Sequence, residues 1–399
     1  MSYQHSHPLP VRHEYEHEQS DSGALVKFAA VVFGLLAGVL AIAALGLWAS
    51  ARDARNDAHA TATKAASSAP AMSMPGMSME HGSAMAAGAG TVATPSFAGI
   101  APANADTIAA AHRAYPAALP AIQPGPVAHV HLAIQHSTIG IAPGIRYHAW
   151  TFGDRAPGPV IHVRQGQLVH VTLMNRSPMP HSIDFHAARI APNVAFADVQ
   201  PGKSFSFSFR AGDPGVFMYH CGTKPVLAHI ANGMYGAIVV SPRAGVLPRV
   251  DREYVLVAGE WYLNGPGNHQ PAGLDLVKAD QMTPDWVTWN GYAGQYVAHP
   301  LQAMPGQTVR FWVVDAGPSL DTDFHVVGTL LNRAWVDQDL TRFERNVQTA
   351  AVPAGGGGVF DVRIDHPGLY PVVSHSFASV NMGQVGLLRV GDVHGTMSH

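Results

Sequence analysis

The same string of signals occurs twice in the C-terminal part of this 399-residue chain. A Pro-Gly turn comes first, Pro201-Gly202 in one copy and Pro353-Ala354-Gly355 in the other. A strand-like stretch follows, then a second Pro-Gly turn, Pro214-Gly215 or Pro367-Gly368. Each copy then enters a strand that carries metal-type residues, Gly215–Cys221 and Gly368–His375. Around these signals the chain alternates apolar and polar residues. It does so at Gln167–Leu173 and Ser204–Phe209, and again at Tyr254–Ala258, Thr308–Val314, Val359–Ile364 and Gly383–Val390. A period of two marks half-buried strands, and Pro and Gly between them mark turns. With 40 glycines, 30 prolines and only 13% charged residues, the composition favours many short strands over long helices. We therefore expect an all-β chain built from a duplicated β-sandwich, one copy over 127–245 and one over 246–393. Leu274–Ala279 reads as a short helix.

The N-terminal part reads differently. Residues 1–27 form a polar, His- and Glu-rich tail. From Phe28 to Ala49 the chain is apolar and uncharged for 22 residues. As a helix that length crosses a bilayer core of roughly 30 Å, and a signal peptide has a shorter apolar core nearer the start. The expectation is a retained transmembrane helix, 28–49, in a single-pass protein of the cell membrane. Arg12 and Lys27 precede it and Arg52, Arg55 and Lys64 follow it, so charge bias does not set orientation. The C-terminal domains are placed outside the cytoplasm on functional grounds alone. Residues 50–126 have the Ala/Ser/Gly/Pro composition of a disordered linker. Within it lie Met72, Met74, Met77, Met79, His81 and Met85. Thioethers suit Cu(I), so this cluster is either a copper-capture segment or a low-complexity spacer. A net charge of −3 with no basic stripe argues against a nucleic-acid partner.

Cys221 is the single cysteine. It cannot form an intramolecular disulfide, and in an exported domain a free thiol is open to oxidation. Holding a metal is the simplest reason to keep it, against the plainer reading of a small buried hydrophobe. His229 follows eight residues later and Met234 five after that. With one more histidine these are the ligand types of a blue-copper centre: two imidazoles, a thiolate and a weak thioether. Successive side chains on a strand point to opposite faces, so His220 and Cys221 look apart. His181 and His186, five apart, diverge in the same way. The simplest pairing sets His181 beside Cys221 and His186 beside His220, with the following loop returning His229 and Met234 to the cysteine side. The two-histidine half-site needs a third ligand, and His375, on the equivalent strand of the second half, is the best candidate. Three imidazoles with an open position suit a catalytic metal. Simple duplication does not bring all three together in one chain, whereas a neighbouring subunit can, which predicts a ring-like oligomer. Asp184 shares a face with His186, and His325 sits in the apolar run Asp323–Val327. An acid and an imidazole beside an open metal are natural proton donors. His129 and His131, spaced as His-Val-His, are read as one face of the first strand.

At these residues the chain resembles copper-containing nitrite reductases, which are two-domain cupredoxin proteins. The resemblance covers about 127–392. It is carried by Pro180–Ala187, by Tyr219-His220-Cys221 with His229 and Gly233–Ile238, by Phe324–Val327, and by Ser374–Phe377. It implies two tandem cupredoxin-like Greek-key β-sandwiches. It also implies one type 1 copper per chain on His181, Cys221, His229 and Met234, and one type 2 copper on His186, His220 and His375. His375 would reach a neighbour's site in a homotrimer. Asp184 and His325 would deliver protons, and Val327 would help to shape the substrate pocket.

The expected activity is one-electron reduction of nitrite to nitric oxide. A small redox protein, a cupredoxin or a cytochrome c, would feed the type 1 copper, and the peptide link between Cys221 and His220 would carry the electron onward. An oxygen-reducing multicopper oxidase is the first alternative. It needs about eight histidines, usually in His-x-His pairs including His-Cys-His. Here Gly222 follows Cys221, and the folded region has one such pair, His129/His131. A membrane-tethered copper-handling or electron-transfer protein is the second alternative, and the methionine cluster speaks for it.

Overall fold

Alternation becomes architecture along the strand that follows Gln167: Val169, Val171 and Leu173 are buried, whereas His170, Thr172 and Met174 face outward. The computed structural model describes residues 104–265, 270–337 and 340–393. Eight strands make the first sandwich: β1 (Val127–Ala142), β2 (Ile145–Phe152), β3 (Ile161–Arg164), β4 (Leu168–Asn175), β5 (Asp184–Phe185), β6 (Ser204–Arg210), β7 (Gly215–His220) and β8 (Tyr235–Ser241). They form two four-stranded sheets, β2-β1-β4-β6 and β3-β8-β7-β5. Ten strands make the second: β9 (Arg252–Trp261), β10 (Trp286–Trp289), β11 (Leu301–Ala303), β12 (Thr308–Asp315), β13 (Thr322–Val326), β14 (Arg333–Val336), β15 (Ala350–Val352), β16 (Gly357–Arg363), β17 (Gly368–Ser374) and β18 (Val385–Val390). Their sheets run β10-β9-β12-β16-β14 and β11-β18-β17-β13-β15. Without β14 and β15 the two strand orders coincide. So do the parallel pairs, β1/β4 with β9/β12 and β3/β8 with β11/β18. The chain is a duplicated cupredoxin-like sandwich.

Each sandwich has its own core. Val130, Val171, Phe185, Tyr219 and Ile238 lie in the first, and Phe311, Phe324, Phe360 and Leu388 in the second. A third apolar cluster joins the sandwiches: Met218, Tyr235 and Val239 of the first pack with Val257, Trp312, Trp335 and Val359 of the second. Burying one large side chain of this kind contributes about 1.5–3 kcal/mol, so the two repeats are held as one body.

The helix expected at Leu274–Ala279 forms at Leu276–Asp280, because the Asp275 side chain accepts from Lys278 N and caps it there. The last part of the stretch read as linker is packed against the fold. A helix at Ala105–Ala111 leads to His112, whose ring stacks on Tyr292 at 3.7 Å. Tyr115 N donates to Gln295 Oε1, and Ala118 bridges Tyr254 of β9. The polar tail, the apolar segment 28–49 and the methionine cluster lie outside the described residues. Among the described residues no helix is long and apolar enough to cross a membrane.

Candidate metal centres

The first group of donors gathers where the chain enters and leaves the sheet β3-β8-β7-β5. His181 is held by reciprocal backbone bonds to Val199. Cys221 follows β7 directly, and its N–H donates to the Met234 carbonyl at 3.1 Å. His229 rides on the helix Val226–Ala231, and Gly233, at φ +104°, turns the chain so that Met234 stands just before β8. Such a φ suits glycine. His181 Nδ1 and His229 Nδ1 lie 3.0 Å apart. Cys221 Sγ lies 3.1 Å from His229 Nδ1 and 3.8 Å from His181 Nδ1. All four residues are fully buried, with Cys221 and Met234 in one apolar cluster.

Burial sets the electrostatics. It lowers the pKa of His181 to about 3, with His229 and His136 adding to the effect. Burial also lowers that of His229 to about 4, against the pull of Asp198. Both rings are therefore neutral donors at pH 7. Burial pushes the Cys221 thiol up, while hydrogen bonds from Ser182 and Thr223 favour the thiolate. Ser182 N points at Cys221 Sγ at 3.4 Å, and the Ser182 hydroxyl accepts from Gly222 N and Thr223 Oγ1. A bound cation deprotonates a coordinating thiol. Two neutral imidazoles and a thiol facing one point, with the buried Met234 joined to Cys221 through its backbone carbonyl, fit copper.

The second group sits one residue away. Asp184 of β5 pairs across the sheet with His220 of β7. His186 Nε2 and His220 Nε2 are 3.1 Å apart, and Asp184 Oδ2 is 3.8 Å from His220 Nε2. Carbonyl groups fix both rings. His220 Nδ1 donates to the Cys221 carbonyl at 2.9 Å, and His186 Nδ1 donates to the Gly355 carbonyl at 3.0 Å. With hydrogen on Nδ1, each ring turns an Nε2 lone pair toward the other, the arrangement in which remote partners orient metal-ligating histidines. Burial lowers the His220 pKa, with His186 adding to it and the Cys221 carbonyl and Asp184 opposing it. His186 is exposed and the other two are half-buried, so this group opens to solvent. Gly355 belongs to the second sandwich, and its turn is gripped by Asp315: Gly355 N donates to Asp315 O, and Asp315 N to Gly356 O.

His325 and His375 form a separate pair, with ring centroids 5.1 Å apart. His325 Nδ1 donates to the Gln348 carbonyl, and His375 is exposed beside Phe377. Among the described residues His375 joins neither donor group. His129 and His131 stand at alternate exposed positions of β1 and also join neither.

Register explains this distribution. His181 pairs with Val199, and Thr322 pairs with Val352; both valines precede the matching turns at Gly202 and Gly355. The same alignment sets Gly215 on Gly368 and Gly233 on Gly383, the last two both at positive φ. It then matches Asp184 with His325, Cys221 with Ser374 and Met234 with Gln384. In the second repeat Gln384 Nε2 donates to Thr322 Oγ1 at 2.8 Å, and Ser374 Oγ accepts from Asp323 N. There an amide pairs with one buried hydroxyl and a backbone N–H with the other, where the first repeat carries candidate metal donors.

Ser182, Gly355, Trp150 and His136 escaped the sequence reading. Ser182 had a local signal, since it adjoins His181. The others act through pairings remote in sequence and had none.

Comparison with known proteins agrees with this geometry. Residues 133–245 match the multicopper oxidase family. A copper-containing nitrite reductase of Neisseria meningitidis serogroup B is 39% identical over 269 residues, covering 65% of this chain and 68% of that protein. The solved copper nitrite reductase of Nitrosomonas europaea superposes with a TM-score of 0.62 at 32% identity, covering 68% of this chain and 96% of its own. A Cu-containing nitrite reductase from Thermus scotoductus gives the same TM-score at 28% identity, covering 68% of this chain and 63% of that one. A duplicated cupredoxin-like fold, adjacent donor groups and these relatives place the chain in the copper-containing nitrite reductase family.

Proposed function

We propose that this chain reduces nitrite to nitric oxide and water, consuming one electron and two protons. The observation that carries the reading is the placing of His220 and Cys221, neighbours in sequence, in two different donor groups. His181, Cys221, His229 and Met234 would hold a type 1 copper, and His186, His220 and a neighbour's His375 a type 2 copper. Copper supplies the one-electron redox change at both groups and polarises the substrate anion at the second.

The chain's own residues do the rest. One peptide bond joins Cys221 to His220, and the Cys221 carbonyl also accepts from the His220 ring, so the two groups are linked through covalent bonds. Asp184, 3.8 Å from His220 Nε2, stands where it can hand a proton to a nitrite oxygen. His325 would supply a proton from the facing subunit, with the half-buried Val327 beside it narrowing the pocket. The repeat supports a homotrimer. Asp184 and His325 occupy equivalent places, so a first sandwich facing a neighbour's second sandwich sets acid opposite imidazole and brings His375 to His186 and His220. A small redox protein, cupredoxin or cytochrome c, would be the donor. Residues 28–49 would anchor the chain in the cell membrane with both sandwiches outside the cytoplasm.

The test is the copper-loaded full chain in detergent, supplied anaerobically with nitrite and a reduced dye. Two coppers per chain and nitric oxide equal to the nitrite consumed are expected. Oxygen consumption without nitric oxide release would replace this reading with an oxidase.

A further inference from the structure

We infer that His136 is a positioning residue for the type 1 site, seated on Trp150 so that its ring accepts the Nε2 hydrogen of His181. The inference rests on His181, Cys221, His229 and Met234 holding copper. His181 Nδ1 faces His229 and Cys221. For that nitrogen to donate to a metal, the ring hydrogen must sit on Nε2, and a buried N–H needs an acceptor. His136 Nε2 lies 3.4 Å away. His229 provides the contrast, since its Nε2 is buried with no hydrogen-bond partner among the described residues.

The β1/β2 register fixes His136. It sets His136 opposite Trp150, and the two rings stack at 5.3 Å and 13°. Trp150 in turn meets both ligand rings edge-on, at 5.6 Å from His181 and 4.9 Å from His229. The indole thus braces three imidazoles, and His136 is the one that reaches a ligand nitrogen. A ligand whose remote N–H finds an acceptor is more basic and favours the oxidised metal. His136 therefore holds the His181 tautomer and lowers the reduction potential of the centre.

Two substitutions separate the stack from the hydrogen bond. His136→Phe keeps a ring on Trp150 and removes the acceptor. His136→Gln keeps an acceptor and removes the aromatic stack. The readouts are the type 1 reduction potential, its copper hyperfine splitting in electron paramagnetic resonance, and Cu(II) affinity, with the type 2 signal and far-UV circular dichroism as controls for folding. For His136→Phe we expect a raised potential, altered hyperfine splitting and Cu(II) affinity lower by about 10- to 100-fold, with the type 2 signal unchanged. His136→Gln should recover most of each. Wild-type potential and spectra in His136→Phe would overturn the proposal, as would identical behaviour of the two variants. If Cys221→Ala left the type 1 spectrum intact, the copper assignment itself would fail, which is a different result.

Discussion

His220 and Cys221 share a peptide bond, yet His220 Nε2 lies 3.1 Å from His186 and Cys221 Sγ lies 3.1 Å from His229. Strand pleating turns consecutive side chains to opposite faces, and the chain ends β7 between the two residues. Each group can therefore be damaged without touching the other.

Cys221→Ala should abolish the type 1 absorption and lower bound copper from two to one per chain. Losing even a remote partner of a metal ligand costs about 10- to 100-fold in affinity or activity, and losing the thiolate should cost more. Turnover driven by a protein donor should fall accordingly while the type 2 resonance survives. Copper analysis with electron paramagnetic resonance checks both.

Asp184→Asn keeps the size of the side chain and removes its proton. Nitrite turnover should fall by about 10²- to 10⁴-fold, the usual worth of a positioned acid, with the type 1 spectrum unchanged. Stopped-flow reduction of the type 1 centre should run at the wild-type rate, which places the loss in the proton step.

His186→Ala and His375→Ala should each remove the type 2 copper from a homo-oligomer. If His375 serves a neighbour, co-expressing the two variants with different tags restores a fraction of intact sites, because some interfaces pair an unmodified His186 with an unmodified His375. Nitric oxide release and a type 2 signal in doubly tagged oligomers are expected. Their absence would remove His375 from the ligand set, since it lies apart from His186 and His220 within one chain.

Asp315 offers a stability test. Burial, with Glu260 and Asp321 nearby, pushes its carboxyl up to about 7 against hydrogen bonds from Thr322 and Gly317. Its Oδ2 is buried without a hydrogen-bond partner among the described residues. The folded chain therefore holds a proton that the unfolded chain releases above about pH 4. Stability is full below that value, falls as pH rises to about 7, and stays lowered above it. Asp315→Asn removes the titration. It should stabilise the protein on the order of 2–4 kcal/mol at pH 8 and hardly at all at pH 4. Thermal melts at the two pH values decide it.

Much of the fold was legible because burial alternates along single strands, as at Val169, Val171 and Leu173, and because the two Pro-Gly turns recur. The split between His220 and Cys221 was legible for the same reason. What the sequence could not carry is register. That Thr322, Ser374 and Gln384 stand where His181, Cys221 and Met234 stand depends on which residues pair across strands. The Gly355 carbonyl reaches His186 across 169 positions, and His136 meets His181 across 45. No local pattern announces either. The helix starting at Leu276 instead of Leu274 is a smaller case, settled by one capping bond from Asp275.

The carbonyl of Gly355 steadies a ring that belongs to the other sandwich. A fragment severed near residue 245 would lose the brace behind His186 together with the apolar partners of Met218, Tyr235 and Val239. The seat for an anion is therefore a joint property of both sandwiches, even though His186 and His220 stand in the first.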